Sequence, residues 1–242
     1  MNSARKIAVI TGVVFIIATA ASLSSTAFVP ALSSPDYLTR MSANVSPVAG
    51  GALLLLVAAF GSVGVAVALY PVLRERNAAL AIGSVVFRTI EAVMYVVGVV
   101  SLLTVLSVSQ QFTSAGGAQR AVLQAVGNAL VSLHDHAALA GVFAFSMGAL
   151  LYYSLFFQTR LVPRWLSGWG VLAIVAMLAA CVLALFSDSP VTGYVLLALP
   201  IAVQEMVLAV WLIARGFNEI ELPVGSTTRP ETSRPGPTAV NA

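Results

Sequence analysis

Apolar residues run along this chain in six long blocks, at about 7–29, 49–73, 79–106, 130–157, 165–186 and 193–214. Each block reaches or exceeds the roughly 20 residues that a helix needs to cross a hydrocarbon layer about 30 Å thick. The pattern predicts an all-α, polytopic membrane protein, with six transmembrane helices in one bundle over residues 1–216. The connections are polar. Pro30 to Pro47 and Ser107 to Gln119 read as loops at one end, the latter containing Gly116-Gly117. Arg74 to Asn77 and Gln158 to Arg164 read as short basic turns at the other, and Ser187 to Pro190 as a tight turn. The fourth block starts indistinctly, because Ala121 to Leu133 is only moderately apolar. From Phe217 the chain turns to Pro, Thr, Ser and Gly, which predicts a disordered tail over 217–242.

Composition agrees with this reading and narrows it. Of 242 residues 59% are hydrophobic and 9% charged, against roughly a quarter charged in soluble domains. The apolar runs leave no room for a soluble domain. Cys181 is the single cysteine, which excludes an intrachain disulfide and a thiolate metal cluster. The excess of arginine over lysine, with abundant Ala, Val and Gly, points to a GC-rich bacterial source, and so to the plasma (inner) membrane.

The net charge of +3 is a topology signal, since the basic residues flank the apolar runs. Arg5, Lys6, Arg74, Arg76, Arg160, Arg164, Arg215, Arg229 and Arg234 fall at one end, against Arg40 and Arg120 at the other. This bias puts both termini in the cytoplasm. The first span, preceded by Arg5 and Lys6, also resembles a secretory signal, but its core has the length of a retained anchor. The partner this implies is the lipid bilayer, not nucleic acid. A homo-oligomer is compatible with the sequence, which names no substrate and calls for no cofactor.

Against this background the polar residues inside the spans are the candidates for chemistry. Arg88 and Glu91 lie three apart on one helical face, extended by Ser84 and Tyr95. The second span carries Ala58, Ser62 and Ala66 at four-residue spacing, a stripe that lets helices approach closely. The sixth carries Pro200, Gln204 and Glu205. At about 1.5 Å of rise per residue, Arg88 and Glu205 both sit roughly 15 Å from the basic end. An Arg88–Glu205 ion pair joined by Glu91 is therefore expected if the third and sixth spans are neighbours, with Gln204 and Tyr95 filling hydrogen-bond valences. Two carboxylates against one guanidinium leave a surplus negative charge, which a proton would remove. Such a network serves either as a lock on helix packing or as part of a proton-linked small-molecule transporter or channel.

His134, Asp135 and His136 form a polar cluster near the opposite end. Histidines two apart on a helix point to nearly opposite faces and cannot share an ion, so no metal is expected. Asp135 is suited to the amino end of a helix or to an outer vestibule. No Walker glycine loop, metalloprotease helix, G-x-S-x-G or Cys-x-x-Cys motif occurs, so soluble-type catalysis has no basis and the sequence leans away from an enzyme.

The stretches LYPVLR (69–74), FRTIE (87–91), YYSLFFQTRLVPRWLSGWG (152–170) and LPIAVQEMVLAVWLIARGF (199–217) resemble a bacterial family of integral membrane proteins of unknown function, DUF family 4386. The resemblance covers about Arg5 to Asn218 and implies a multi-span bundle without an assigned activity. That family commonly carries a basic residue before the aspartate corresponding to Asp135, where this chain has His134.

Overall fold

The computed structural model describes residues 3–187 and 190–218. Six helices long and apolar enough to cross a membrane carry the apolar blocks. They are α1 (Ser3–Ser25), α3 (Val45–Arg74), α4 (Ala78–Ser114), α5 (Gly117–Thr159), α6 (Arg164–Ser187) and α7 (Val195–Ala214). A short helix, α2 (Tyr37–Ala43), interrupts the first connection, and one 3-10 turn (Val191–Tyr194) leads into α7. No strand occurs among the described residues.

The spanning helices pack each on its neighbours in the chain, and α1 packs on α7, so the six close into a ring. In a ring of this order α4 and α7 stand opposite each other, and they are not a packing pair. The neighbour relation expected between the third and sixth spans is corrected accordingly: the short connections force sequence neighbours together, and the sixth span closes on the first.

Arg5 fastens that closure. Its guanidinium donates to the carbonyls of Leu212 (3.1 Å), Ile213 (2.5 Å) and Ala214 (3.2 Å). These carbonyls lie in the last turn of α7, the end of a helix that favours a cation, and Leu212 O also accepts from Gly216 N at 3.1 Å. Gly216, at φ 78°, turns the chain away, and a Cβ there would stand 3.1 Å from Arg5 Nη1.

Leu53, Phe60, Leu172, Phe186 and Leu196 point outward, each more than half exposed. An apolar girdle of this kind has hydrocarbon as its solvent, and the protein is a multi-pass membrane protein. Inside the ring, near the basic end, the centre is filled. Phe15 meets Tyr152 edge-on at 6.5 Å, and Tyr152 lies 4.5 Å from Tyr153 and 5.8 Å from Phe156 between ring centroids.

Four stretches differ from the sequence expectation. Ser107 to Gln119 is not a loop, since α4 continues to Ser114 and α5 starts at Gly117. The hydroxyls there bond back onto their own helix, Ser109 to Leu106 O (2.6 Å) and Thr113 to Gln110 O (2.9 Å), so their polarity does not end it. Burial of Val105, Leu106 and Val108 against Leu38 and Met41 of α2 supports the extension. Likewise α5 runs unbroken through Ala121 to Leu133, and α2 folds inside the expected Pro30–Pro47 loop, tied by Tyr37 OH to Asn128 Oδ1 (2.9 Å). Phe217 and Asn218, assigned to the tail by composition, instead pack on the bundle: Phe217 lies 6.4 Å from Phe156, and Asn218 N donates to Leu161 O (2.8 Å). The tail from 219 onward and the turn residues 188–189 lie outside the described residues.

Candidate functional site

The third span reaches its depth from a defined start. Asn77 caps α4 by accepting from Leu80 N at 3.0 Å, and eleven residues later, about 16 Å up the axis, comes Arg88. Its side chain is buried, with 3% exposure. The stem needs a notch in α5, and Gly148 supplies it: a Cβ at that position would stand 3.2 Å from both Arg88 Cγ and Cδ. The guanidinium then lies over the Phe145 ring, 4.6 Å from its centroid.

Its ionic partner is on its own helix. Arg88 Nε is 3.2 Å from Glu91 Oε2. The contact is an ion pair without an aligned hydrogen bond. Glu91 Oε2 also accepts from Ser62 Oγ of α3 at 2.6 Å. Arg88, Glu91 and Ser62 therefore join α3, α4 and α5.

Glu205 is placed differently. It is 8% exposed on the inner side of α7, nine residues or about 13 Å from Ala214, so it is level with Arg88 across the ring. The direct Arg88–Glu205 ion pair expected from equal depth does not form: no salt bridge within 4.0 Å joins them, although each lies in the other's electrostatic field. Opposite positions in the ring hold the two apart. Buried Glu205 Oε1, Tyr152 OH, and Arg88 Nε and Nη1 have no hydrogen-bond partner. These groups converge on the centre from α4, α5 and α7, and the Thr19 hydroxyl of α1 faces Glu205.

Gln204 has a separate task. It accepts a short hydrogen bond from Tyr153 OH of α5 and donates to Leu166 O of α6 at 3.1 Å, which ties three helices together. Gln204→Leu is expected to cost about 1–3 kcal/mol by leaving the Tyr153 hydroxyl buried and unpaired. Denaturant titration in detergent micelles measures this, and an unchanged midpoint would remove the cross-link from the account. Tyr95 is half-buried, and a Cβ at Gly141 of α5 would stand 2.8 Å from its ring. It shares the electrostatic field of Arg88 and Glu91.

The outer cluster splits in two. His134 turns toward α4, with Nδ1 2.8 Å from Gly98 O, whereas His136 stays on its own helix, with Nδ1 2.8 Å from Ser132 O. Asp135 and His136 line a pocket of about 290 Å³ at the end of the bundle remote from the basic turns. Among the described residues no group of three or more His, Cys, Asp or Glu could hold a metal ion.

Sequence reasoning missed Ser62 as a ligand of Glu91, and with it Phe145, Gly148 and Tyr152. One signal was readable. Ser62 lies twelve residues from Arg74, and Glu91 thirteen from Ala78, so both are about 18–20 Å from the basic end.

No curated protein and no solved structure matches this chain. A family model does match it, over residues 10–216. That span is most of the chain and includes Arg88, Glu91, Gln204 and Glu205, and the chain thereby belongs to the family described as Domain of unknown function (DUF4386).

Proposed function

We propose that the protein is a proton-linked carrier of a small polar solute in a bacterial plasma membrane, with both termini cytoplasmic. Glu205 is the group that takes and releases the proton, and Arg88 is the fixed positive charge across from it. The observation that carries this reading is the set of buried polar atoms of the interior without a hydrogen-bond partner and outside the Arg88–Glu91 contact: Glu205 Oε1, Tyr152 OH and Arg88 Nη1. A network serving stability alone gains little from open valences, because a half-satisfied buried network is worse than an apolar core. Intramembrane ionisable residues that face a bundle interior are a recurrent feature of proton and solute paths. The helix-lock reading is favoured for the other half of the network. Arg88 is held by Glu91, Phe145 and the Gly148 notch, and Glu91 by Ser62.

The test is solute-dependent movement of internal pH in proteoliposomes loaded with a pH-sensitive dye, across a panel of neutral and zwitterionic small solutes. At least one solute is expected to drive proton movement above the protein-free rate. Glu205→Gln is expected to reduce that rate at least tenfold, to the protein-free level, with an unchanged unfolding midpoint. Flux that survives Glu205→Gln, or no solute response from folded protein, contradicts the proposal.

A further inference from the structure

The pocket at the end remote from the basic turns belongs to neither half of the central network. It lies between α2, the amino-terminal half of α5, the last turn of α6 and the 3-10 turn, and encloses about 290 Å³. Asp135 is 24 residues from Thr159, or about 36 Å along the axis, which puts the pocket at the headgroup level or beyond, within reach of water. A volume near the lower end of known ligand sites fits a small molecule.

Its polar lining is short of cations. Asp135 is half-buried and has no hydrogen bond or ion pair among the described residues. The charged or titratable groups that bear on it are His134 and His136. His136 Nδ1 lies 2.8 Å from Ser132 O and 3.2 Å from Ser132 Oγ, so this nitrogen is engaged within its own helix. Asn128 Oδ1 accepts from Tyr37 OH (2.9 Å) and from Gln124 Nε2 (3.0 Å), which orients the amide and ties Tyr37, itself a lining residue, to α5. The rest of the lining is largely apolar and includes Leu32, Leu139, Leu185 and Val191.

A half-buried carboxylate without an ion pair among the described residues and an aromatic ring beside aliphatic side chains describe one ligand chemistry. We propose that this pocket binds a small organic ammonium ion, with its charged head at Asp135 and Tyr37 and its apolar body against α6 and the 3-10 turn. The ammonium supplies the donors that Asp135 lacks, and an aromatic face attracts a cation. An anion would meet Asp135 unscreened. A metal ion would find two side-chain donors and no third.

Ligand-observed saturation-transfer NMR on the protein in phosphatidylcholine nanodiscs tests this, with 2-phenylethylamine as probe, phenylacetate as its anionic counterpart and Zn²⁺ as a competitor. The amine is expected to bind and the carboxylate not. Asp135→Asn should weaken amine binding at least tenfold, and Ser132→Trp, at an exposed position on the lining, should abolish it by filling the space. Ser132→Trp keeps the test decisive if Asp135→Asn fails to fold. The proposal is overturned if no amine binds, if both probes bind equally, if neither substitution changes amine binding, or if Zn²⁺ displaces the amine. None of these readouts depends on transport, so the pocket and the proposed carrier activity stand or fall separately.

Discussion

Replacing Arg88 with alanine is expected to destabilise the bundle by about 3–5 kcal/mol, the cost of removing one partner from a buried ion pair. Glu91 would keep its charge at 3% exposure with no counter-ion in contact and with the Ser62 hydroxyl as its hydrogen-bond donor. The space left beside Gly148 and under Phe145 would add a cavity cost to the electrostatic one. Titration with a denaturing detergent in mixed micelles measures the loss. Adding Glu91→Gln should recover much of it, because the uncompensated charge is then gone. Adding Glu205→Gln should recover little, since Glu205 is not the ion-pair partner.

The second large effect lies at the seam that closes the ring. A Cβ on Gly12 of α1 would stand 2.6 Å from the carbonyl oxygen of Ala209 and 2.7 Å from Ile213 Cγ1. The isoleucine can turn aside. The carbonyl belongs to the backbone of α7 and cannot move without the helix. Gly12→Ala is therefore expected to cost about 1–3 kcal/mol despite alanine's better helix propensity, and Gly12→Leu more. Gly50 of α3 is the internal control, because a Cβ there meets nothing within 4 Å. Gly50→Ala should be neutral or stabilising by up to about 1 kcal/mol. Thermal unfolding of the three variants in one detergent gives the comparison, and equal midpoints for Gly12→Ala and Gly50→Ala would refute the close approach of α1 to α7.

The number of spans was legible because an apolar block of sufficient length needs no tertiary information to be a membrane helix. Where the helices end was less so. Ser107 to Ser114 is polar in composition, yet its hydroxyls bond within the helix and α2 covers its apolar face, which is a tertiary effect. The i,i+3 relation of Arg88 and Glu91 was readable from one helix alone, and so was the common depth of Arg88 and Glu205. Equal depth does not give lateral order. In a ring of six, each helix has two neighbours, and the closure of α7 on α1 that moves Glu205 away from Arg88 rests on Gly12 and Arg5, neither of which advertises a partner in the sequence. The glycine notches that seat Arg88 and Tyr95 were equally silent, because a glycine in a membrane helix looks the same whether or not a side chain enters it.

The central claim is that the polar interior has two halves, one in which Arg88 is held by Glu91 and one in which Glu205 remains open to a ligand. A pair of double-mutant cycles in the same micelles tests it most directly, one joining Arg88→Ala with Glu91→Gln and the other joining Arg88→Ala with Glu205→Gln. Contacting residues couple by roughly 0.5–3 kcal/mol, and separated ones add within about 0.5 kcal/mol. The account predicts a coupling of about 2 kcal/mol or more in the first cycle and less than half of that in the second. A second coupling equal to or larger than the first would contradict it.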